Sequence, residues 1–318
     1  MRDTECCRRY NRQKQVLARY LTTRCSARRV KWEMLVLLAL LLLCRGIGST
    51  HGSPDDHAGD SDMMSLLDFK RAITSDPKRA LASWNTSNPL CRWAGVTCGR
   101  AHQGRVITSL ELAGQGLEGN RLSGTVPPSI GNLHGLIYLS LGNDLAGTIE
   151  GRFEKMTHLQ HLYLEANNFT GAIPPSIGNL TNLTELRLSE NAFSGHIPAS
   201  LGNLQFLASL NISNNNLSGK IPVTLGNLQQ LTFMDLGNNN LGGKIPRTLG
   251  NLQQLIEMDL GNNNLSGKIP VTLGNLQQLI VMDLSHNNLE GDIPSNLGDL
   301  VQLQHLDLSD NKLKGIIP

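Results

Sequence analysis

Four aspartates recur at a fixed interval in the C-terminal half of the 318-residue chain, namely Asp235, Asp259, Asp283 and Asp307. Each stands between two apolar residues, and this alternation matches a β-strand, in which neighbouring side chains point to opposite faces. If such strands stack side by side, the four carboxylates lie close together and repel one another. We predict that the column attracts a cationic partner.

A second group of polar residues is more varied. His161 and Tyr163 occupy outward positions of one strand, and Glu185 and Arg187 occupy those of the next strand. A tyrosine beside an arginine is a frequent anchor for a protein or peptide ligand. These four residues and the four aspartates are the candidate ligand-binding residues. Other outward positions, Glu257 among them, are expected to be exposed.

Catalytic and cofactor chemistry is excluded by residue spacing. His158 and His161 face different sides of a strand, and no carboxylate or Cys completes a zinc site. Gly219-Lys220 and its repeats are followed by Ile, where a phosphate-binding loop needs Ser or Thr. No Ser-His-Asp order, catalytic carboxylate pair or kinase signature can be read. We expect no enzyme, no metal site and no cofactor in this chain.

The chain from position 104 to its end aligns on itself with a period of 24. The unit that begins at Leu207 reads L-x-x-L-x-I-x-x-N-x-L-x-G-x-I-P-x-x-L-G-x-L, with seven aliphatic positions on one inner side. Asn215 has the donors and acceptors to satisfy backbone groups of a turn. Gly219 permits a conformation or a close approach that a Cβ would prevent, and Pro222 is expected to end strand pairing.

One such unit cannot fold alone, because ordering its backbone costs more free energy than burying seven aliphatic side chains returns. Stacking supplies the missing contacts. We therefore predict an α/β repeat solenoid of about nine units, built on one long curved parallel sheet.

A small helical cap is predicted over 62–103. Asp62 is expected to cap a helix that buries Leu66, Phe69 and Ile73, and Asp76-Pro77 marks a second helix start. Trp84 and Trp93 flank a closely spaced cysteine pair, so we expect an apolar plug closed by one disulfide, Cys91–Cys98. The spacing is not C-x-x-C, which disfavours a redox or metal pair.

The segment 1–48 has the features of a secretory signal with a long basic part. Positions 1–45 carry 11 Lys/Arg against 3 Asp/Glu, and the apolar run from Met34 to Cys44 is too short to span a membrane. An uncleaved anchor is the alternative. The segment 49–61 is expected to be a linker. Removing the leader takes away the basic excess, so no nucleic-acid partner is predicted for the acidic remainder.

Secretion makes the N-x-S/T sequences candidate glycosylation sites on the flank and back of the repeats. They are Asn85, Asn168, Asn179, Asn182, Asn211, Asn216 and Asn264.

The repeat L-x-x-L-x-L-x-x-N-x-L-x-G-x-I-P, preceded by a cap ending in Cys91-Arg-Trp-Ala-Gly-Val-Thr-Cys98, resembles the extracellular part of plant leucine-rich-repeat receptor kinases and receptor-like proteins. The resemblance covers 62–318 and implies a right-handed superhelix that binds a peptide or protein ligand, with a co-receptor ectodomain as a further partner. It places the chain in the secretory pathway, at the cell surface or in the apoplast, in defence or developmental signalling. In this family Leu-Asp-Leu is also an ordinary strand sequence, so the aspartates can equally be without a ligand role.

The resemblance leaves a second function open. Plant polygalacturonase-inhibiting proteins have comparable length and the same kind of repeat, but they end in a Cys-bearing cap. No such cap, transmembrane segment or kinase follows the last repeat, so we expect a truncated receptor whose last apolar layer is open and prone to aggregation. Membrane association is then expected only through a missing C-terminal segment or an uncleaved leader.

Three departures from the repeat pattern are visible. Asn143 arrives one residue early and Glu150 replaces the expected Pro, which predicts a bulged or loose turn. At 117–124 two Leu-x-Gly signals are five residues apart, the mark of a seam in the repeat array. The stretch 218–289 consists of three nearly identical copies, as expected from recent duplication.

Overall fold

The computed structural model describes residues 57–101, 104–113 and 121–316. The predicted signal segment 1–48 and the first half of the seam at 117–124 lie outside these residues. The described chain begins with one α-helix, α1 (His57–Ala72), and continues through β-strands and short 3-10 helices that recur with the repeat period.

The first sheet contains the Leu-x-Leu strands. Nine of its ten strands run parallel, and β2 at its edge pairs with β3 in the antiparallel sense. The strands are, in spatial order, β2 (Val96–Ala101), β3 (Gly104–Glu111), β5 (Tyr138–Ser140), β7 (His161–Tyr163), β9 (Glu185–Arg187), β11 (Ser209–Asn211), β13 (Phe233–Asp235), β15 (Glu257–Asp259), β17 (Val281–Asp283) and β19 (His305–Asp307). The predicted solenoid on a parallel sheet is confirmed.

A second ten-stranded sheet, which was not predicted, runs through the Leu-x-Gly segments. Its strands are β1 (Ile73–Ser75), β4 (Ser123–Thr125), β6 (Asp144–Gly147), β8 (Asn168–Ala172), β10 (Ala192–His196), β12 (Asn216–Lys220), β14 (Asn240–Gly243), β16 (Asn264–Gly267), β18 (Asn288–Asp292) and β20 (Lys312–Lys314). All pair in parallel except β1 with β4.

In the second sheet Gly219 takes part in strand pairing, whereas Pro222 lies beyond the end of the strand. Gly219 lies inside β12 at φ 76°, and a Cβ there would collide with the imidazole of His196 on β10. Pro222 follows the end of β12 and precedes a 3-10 helix, where its missing N–H removes no ladder hydrogen bond. The glycine is therefore a pairing residue of the sheet.

Short 3-10 helices close the repeats on the far side. They span Pro128–Asn132, Pro175–Asn179, Ala199–Asn203, Val223–Asn227, Arg247–Asn251, Val271–Asn275 and Ser295–Asp299, and each follows a proline. A further 3-10 helix, Leu90–Arg92, lies in the cap. The repeat with Glu150 in place of proline has no 3-10 helix in the described chain, in agreement with the departure seen in its sequence.

The core between these elements is a column of aliphatic side chains. In the unit that begins at Leu207, all seven predicted inner residues are at most 2% exposed. Because every unit supplies the same set, the apolar column continues from the cap into the repeats without a break.

The asparagine column satisfies turn backbone groups, as predicted. Asn215 Nδ2 donates to the carbonyls of Ile212 and Ser213 in its own turn and to Leu188 of the preceding repeat, while its Oδ1 accepts from Phe193 N–H. Each asparagine therefore joins two repeats. Asn143, which arrives one residue early, reaches the carbonyl of Leu112 but bonds no carbonyl of its own turn in the described chain.

The cap differs from prediction at both helix starts. Helix α1 begins at His57, so the expected linker ends earlier than residue 61, and the helix ends at Ala72 before Ile73. Asp62 lies within the helix and accepts a 3.2 Å hydrogen bond from Ile107 N–H on β3, which joins the cap to the first repeat. Burial raises the pKa of Asp62.

Asp76 begins a turn instead of a helix. Its carboxylate accepts hydrogen bonds from Ala80 and Leu81 N–H, but Arg79 adopts φ 55°, which an α-helix cannot continue through.

The two cap tryptophans form the predicted plug. Trp84 and Trp93 stack with ring centroids 5.6 Å apart, and both are buried. The disulfide Cys91–Cys98 closes the segment that carries Trp93. The buried tryptophan pair and the disulfide are thus present, as the sequence predicts.

Candidate ligand-binding face

The solvent side of the first sheet carries the candidate residues, and we call it the strand face. On each strand the middle residue points into the core and its two neighbours point to this side, as for Leu162 between His161 and Tyr163. The parallel register places equivalent residues of successive repeats directly beside one another. Side chains that are one full repeat apart in sequence are therefore neighbours on the strand face.

Five residues of β5, β7 and β9 form one network, which we call the tyrosine–arginine cluster: Tyr138, His161, Tyr163, Glu185 and Arg187. Tyr163 Oη donates a 2.6 Å hydrogen bond to Glu185 Oε2, and Arg187 Nη2 lies 2.8 Å from the same oxygen. The Arg187 guanidinium stands 4.5 Å from the centre of the Tyr163 ring. The four residues predicted from sequence are thus brought together.

Tyr138 completes the cluster and was missed from sequence. Its ring meets Tyr163 edge-on at 5.2 Å and lies 5.7 Å from the imidazole of His161. The sequence did contain a signal for Tyr138, because this residue holds the outward position equivalent to His161 in the preceding repeat. The Asn143 repeat between them is one residue short, and this shift moves Tyr138 out of the column that the period defines.

Burial sets the protonation of the cluster. It raises the pKa of Tyr163, with the hydrogen bond to Glu185 as the second cause, so this hydroxyl stays protonated as a donor. Burial lowers the pKa of His161, against the opposing effect of Glu185. His161 Nδ1 is 3.7 Å from Glu185 Oε1 and has no hydrogen-bond partner in the described chain. The imidazole is therefore neutral near pH 7.

Arg187 is the group best placed to meet a ligand. Its side chain is 38% exposed, and one of its five N–H donors is directed to Glu185. Tyr163 and Glu185 hold the guanidinium in place, which lowers the entropic cost of presenting its other donors to an acceptor. The cluster can bind a polar or anionic group of a peptide beside an aromatic surface.

The aspartates form a second group on the same face. In register, Asp235, Asp259, Asp283 and Asp307 lie on four adjacent strands. Each Oδ1 accepts a hydrogen bond from the backbone N–H two residues later, at 2.8 to 3.0 Å, so each aspartate also holds its own turn. We call Asp235, Asp259 and Asp283 the acid ladder.

Burial is the largest influence on the pKa values of Asp235 and Asp259, but not on that of Asp307. Burial, followed by the charges of Asp235 and Asp283, raises the pKa of Asp259 to about 8. Hydrogen bonds from Ser309 lower the pKa of Asp307. In the residues that the structure describes, no acid-ladder carboxylate forms an ion pair.

Glu257 was expected to be exposed, and this prediction was wrong: the residue is 6% exposed. Its position in register between Phe233 and Val281 explains the difference, because apolar side chains from both neighbouring strands flank the carboxylate. Burial, then the charge of Asp235, raises the pKa of Glu257 to about 7. The apolar neighbours are a full repeat away on each side, where a local reading of sequence does not find them.

The sequons divide by position. Asn168, Asn179, Asn182, Asn216 and Asn264 are exposed, whereas Asn85 and Asn211 are partly buried. Asn211 was expected on the flank or back, but it is the last residue of β11 and lies on the strand face. Its Oδ1 accepts from both the N–H and the hydroxyl of Ser213.

A shallow cavity of about 390 Å³ lies elsewhere, at the cap, and is lined by the disulfide, Arg100 and Arg105. None of the candidate ligand-binding residues lines it. Within the described residues, no helix combines the length and apolar character needed to cross a membrane.

Three family models match the chain. The leucine rich repeat N-terminal domain matches residues 60–99, the leucine-rich repeat region matches 176–315, and a leucine rich repeat matches 158–180.

Individual relatives agree with the family models. The LRR receptor-like serine/threonine-protein kinase EFR of Arabidopsis thaliana is 44% identical over 105 residues, which are 32% of this chain and 10% of that protein. The ectodomain of the Arabidopsis thaliana receptor kinase GASSHO1/SCHENGEN3, solved with CASPARIAN STRIP INTEGRITY FACTOR 2, is 38% identical, with a TM-score of 0.74 over 80% of this chain and 30% of that chain.

The ectodomain of the Arabidopsis receptor kinase HAESA, solved with an IDA peptide hormone, is 33% identical, with a TM-score of 0.65 over 81% of this chain and 47% of that chain. The matched segments span only about a tenth of the curated relatives. The chain therefore carries a leucine rich repeat N-terminal domain and leucine-rich repeats, and the relatives named above are plant leucine-rich-repeat receptor kinases.

Proposed function

We propose that this chain is the extracellular ligand-recognition module of a plant receptor kinase or receptor-like protein, and that its strand face binds a peptide or protein ligand in defence or developmental signalling. The observation that carries the proposal is the tyrosine–arginine cluster. A partly exposed guanidinium, fixed by a carboxylate and an aromatic ring on a rigid sheet, is a preorganised anchor for a ligand.

The relatives support the class of ligand. Of the ectodomains to which the chain is similar, GASSHO1/SCHENGEN3 was solved with CASPARIAN STRIP INTEGRITY FACTOR 2, and HAESA was solved with the IDA peptide hormone and also with the co-receptor SERK1. We infer that this chain likewise takes a peptide or small protein, with a co-receptor ectodomain as a second partner.

The same proposal assigns the chain to the secretory pathway and to the cell surface or apoplast. It includes a signal segment at 1–48, the cap with Cys91–Cys98, the repeats from 104 onward, and glycans at the exposed sequons. Asn168, Asn179, Asn182, Asn216 and Asn264 are the exposed positions. Asn179 and Asn182 are too close in sequence for both to carry a glycan readily.

The test is a binding screen with a matched pair of variants. The full chain, secreted from plant cells, is immobilised and exposed to a library of secreted plant peptides and microbial peptides. For a hit on the cluster, we expect Arg187→Ala to weaken binding about tenfold or more. Arg247→Ala removes the same charge from an exposed 3-10 helix and is expected to leave the affinity unchanged.

Two outcomes oppose the proposal. Equal loss in both variants would show that net charge, and not the cluster, sets the affinity. Inhibition of a fungal polygalacturonase by the chain, in the absence of any peptide hit, would favour the secreted-inhibitor function instead.

A further inference from the structure

The strand face carries a second feature, at β13, β15 and β17, that the tyrosine–arginine cluster does not use. Glu257 is 6% exposed and has no hydrogen-bond or ion-pair partner in the described chain. A buried carboxylate normally has such a partner, because taking a charge out of water without one is costly. The Glu257 oxygens have no partner in the described chain, and they are not among its fully enclosed unpartnered atoms, so a group from outside the chain can reach them.

The surroundings of Glu257 define the missing group by charge. The titratable residues whose charges interact with that of Glu257 are Asp235 on β13 and Asp259 on its own strand, and both are acids. The backbone N–H groups of Gly237 and Gly261 each bond one oxygen of Asp235 and Asp259, respectively. The partner must be cationic and able to contact more than one carboxylate.

The closeness of the carboxylates depends on the absence of a side chain at Gly237. A Cβ at this position would lie 2.9 Å from Asp259 Oδ1 and 3.2 Å from Asp235 Oδ1. Gly261 leaves the same room between Asp259 and Asp283. Glycine thus permits two carboxylates to approach one another on adjacent strands.

The apolar flanks define the missing group by shape. Phe233 and Val281 stand in register on either side of Glu257, so a ligand side chain that reaches the carboxylate must pass apolar surface. Arginine fits both requirements: its aliphatic stem can lie on Phe233 and Val281, and its planar guanidinium can donate to several carboxylate oxygens at once. A metal ion fits less well, because no group of three His, Cys, Asp or Glu side chains in the described residues is arranged to hold one.

We propose that Glu257, with Asp235 and Asp259, forms a binding site for an arginine side chain of the partner peptide. The proposal rests on the strand face being the ligand surface. It adds a second anchor of opposite charge to Arg187, so one peptide would carry an acceptor group for β9 and an arginine for β15. The arginine neutralises carboxylates that repel one another in the free protein.

The test uses the full secreted chain with carbon-13-labelled glutamate side chains, and the pentapeptide acetyl-Gly-Gly-Arg-Gly-Gly-amide as the probe. The control probe replaces arginine with citrulline, which has nearly the same shape but no charge. At about pH 9, above the pKa values of about 7 and about 8, we expect the arginine peptide alone to shift the Glu257 carboxyl resonance. It should also lower the pH at which Glu257 titrates, because a bound cation favours the carboxylate.

Two variants of equal net charge distinguish a specific binding site at Glu257 from attraction by the overall charge of the protein. Glu257→Gln is expected to weaken arginine-peptide binding about fivefold or more, the loss of a charge-assisted contact. Glu290→Gln removes the same charge from an exposed position of β18 in the second sheet and should change affinity less than twofold on the same scale. Circular dichroism spectra establish that both variants fold.

The proposal is overturned if the two variants weaken binding alike, if the citrulline peptide binds equally well, or if the Glu257 resonance does not move when the arginine peptide binds. The outcome is distinct from that of the library screen. If Arg187→Ala does not weaken binding of a library hit, but the arginine peptide binds through Glu257, the Arg187 anchor is wrong and the Glu257 site stands. If Arg187→Ala weakens binding and the arginine peptide does not depend on Glu257, the Glu257 site is wrong and the Arg187 anchor stands.

Discussion

Two stretches of the strand face, built on the same repeat, have opposite electrostatic character. At β7 and β9, unlike residues meet across strands, and Glu185 is matched with Tyr163 and Arg187. At β13 to β17, like residues meet, and the acid ladder has no ion-pair partner in the described chain. The central carboxylate of the first region has a cationic partner within that region, whereas those of the second have none in the described chain.

The difference follows from parallel in-register stacking. When a unit is duplicated, each residue is placed beside its own copy about 4.8 Å away. For Leu or for the column of Asn215 this is favourable, because apolar contacts and amide hydrogen bonds repeat well. For aspartate the same step places like charges together. At β7 and β9 the paired positions hold unlike, complementary residues instead.

The largest effect is expected at Glu257. Its pKa is raised from 4.5 in the unfolded chain to about 7, so the folded state holds a proton that the unfolded state loses first, and the free energy of unfolding falls as the pH rises through this window. Glu257→Gln removes the fall. We expect a gain of about 2 kcal/mol at about pH 8 and none near pH 4, measured by urea unfolding.

Glu290→Gln removes the same charge from an exposed site and is the control; its effect on the free energy of unfolding should stay within about 0.5 kcal/mol. A wild-type stability that stays constant between about pH 5 and about pH 8 would contradict the assignment.

A Glu→Gln substitution in the tyrosine–arginine cluster should lower the free energy of unfolding, whereas Glu257→Gln should raise it. Glu185→Gln weakens the charged acceptor that Tyr163 and Arg187 share, so we expect a loss of about 1 to 1.5 kcal/mol in the free energy of unfolding at about pH 8. Urea unfolding of this variant beside Glu257→Gln compares the two regions directly. A stabilising Glu185→Gln would show that the cluster is as unfavourable as the acid ladder.

A smaller effect is expected from Tyr163→Phe, which removes the donor to Glu185 and keeps the ring against Arg187. We expect a loss of about 0.5 to 1 kcal/mol. A double-mutant cycle with Glu185→Gln measures the coupling, which should be nonzero because the two groups share a 2.6 Å hydrogen bond. Strict additivity of the two losses would argue against that bond.

The smallest effect is expected from salt. Adding about 0.5 M NaCl screens repulsion between partly buried acids only weakly, so at about pH 8 we expect the wild type to gain a few tenths of a kcal/mol. In Glu257→Gln the gain should be smaller. An equal salt response in both proteins would place the repulsion outside the β13 to β17 region.

Much of the architecture could be predicted from the repeat period, because each inner Leu and each asparagine equivalent to Asn215 has the same surroundings in every repeat. The second sheet was not predicted, since Gly219 locally indicates a turn, and the strands that pair with its own, β10 and β14, lie about one repeat away in the sequence. In the cap, Asp62 was assigned to a helix start on local grounds, while its partner, Ile107, is 45 residues away.

The candidate site was predicted in part for the same reason. His161, Tyr163, Glu185 and Arg187 were found because the period aligns them, and Tyr138 was missed because a one-residue deletion shifts it out of the column. The exposure of Glu257 was misjudged because burial of an outward residue depends on Phe233 and Val281 on neighbouring strands.

By itself the sequence determined the repeat, the inner aliphatic column and the positions that face outward, since these depend on the short-range periods of strands and turns. Only the tertiary structure decided which outward residues are paired, buried or left without a partner. Hydrogen bonds and charge desolvation act over a few ångströms in space, and in this solenoid residues that close lie a full repeat apart in the chain.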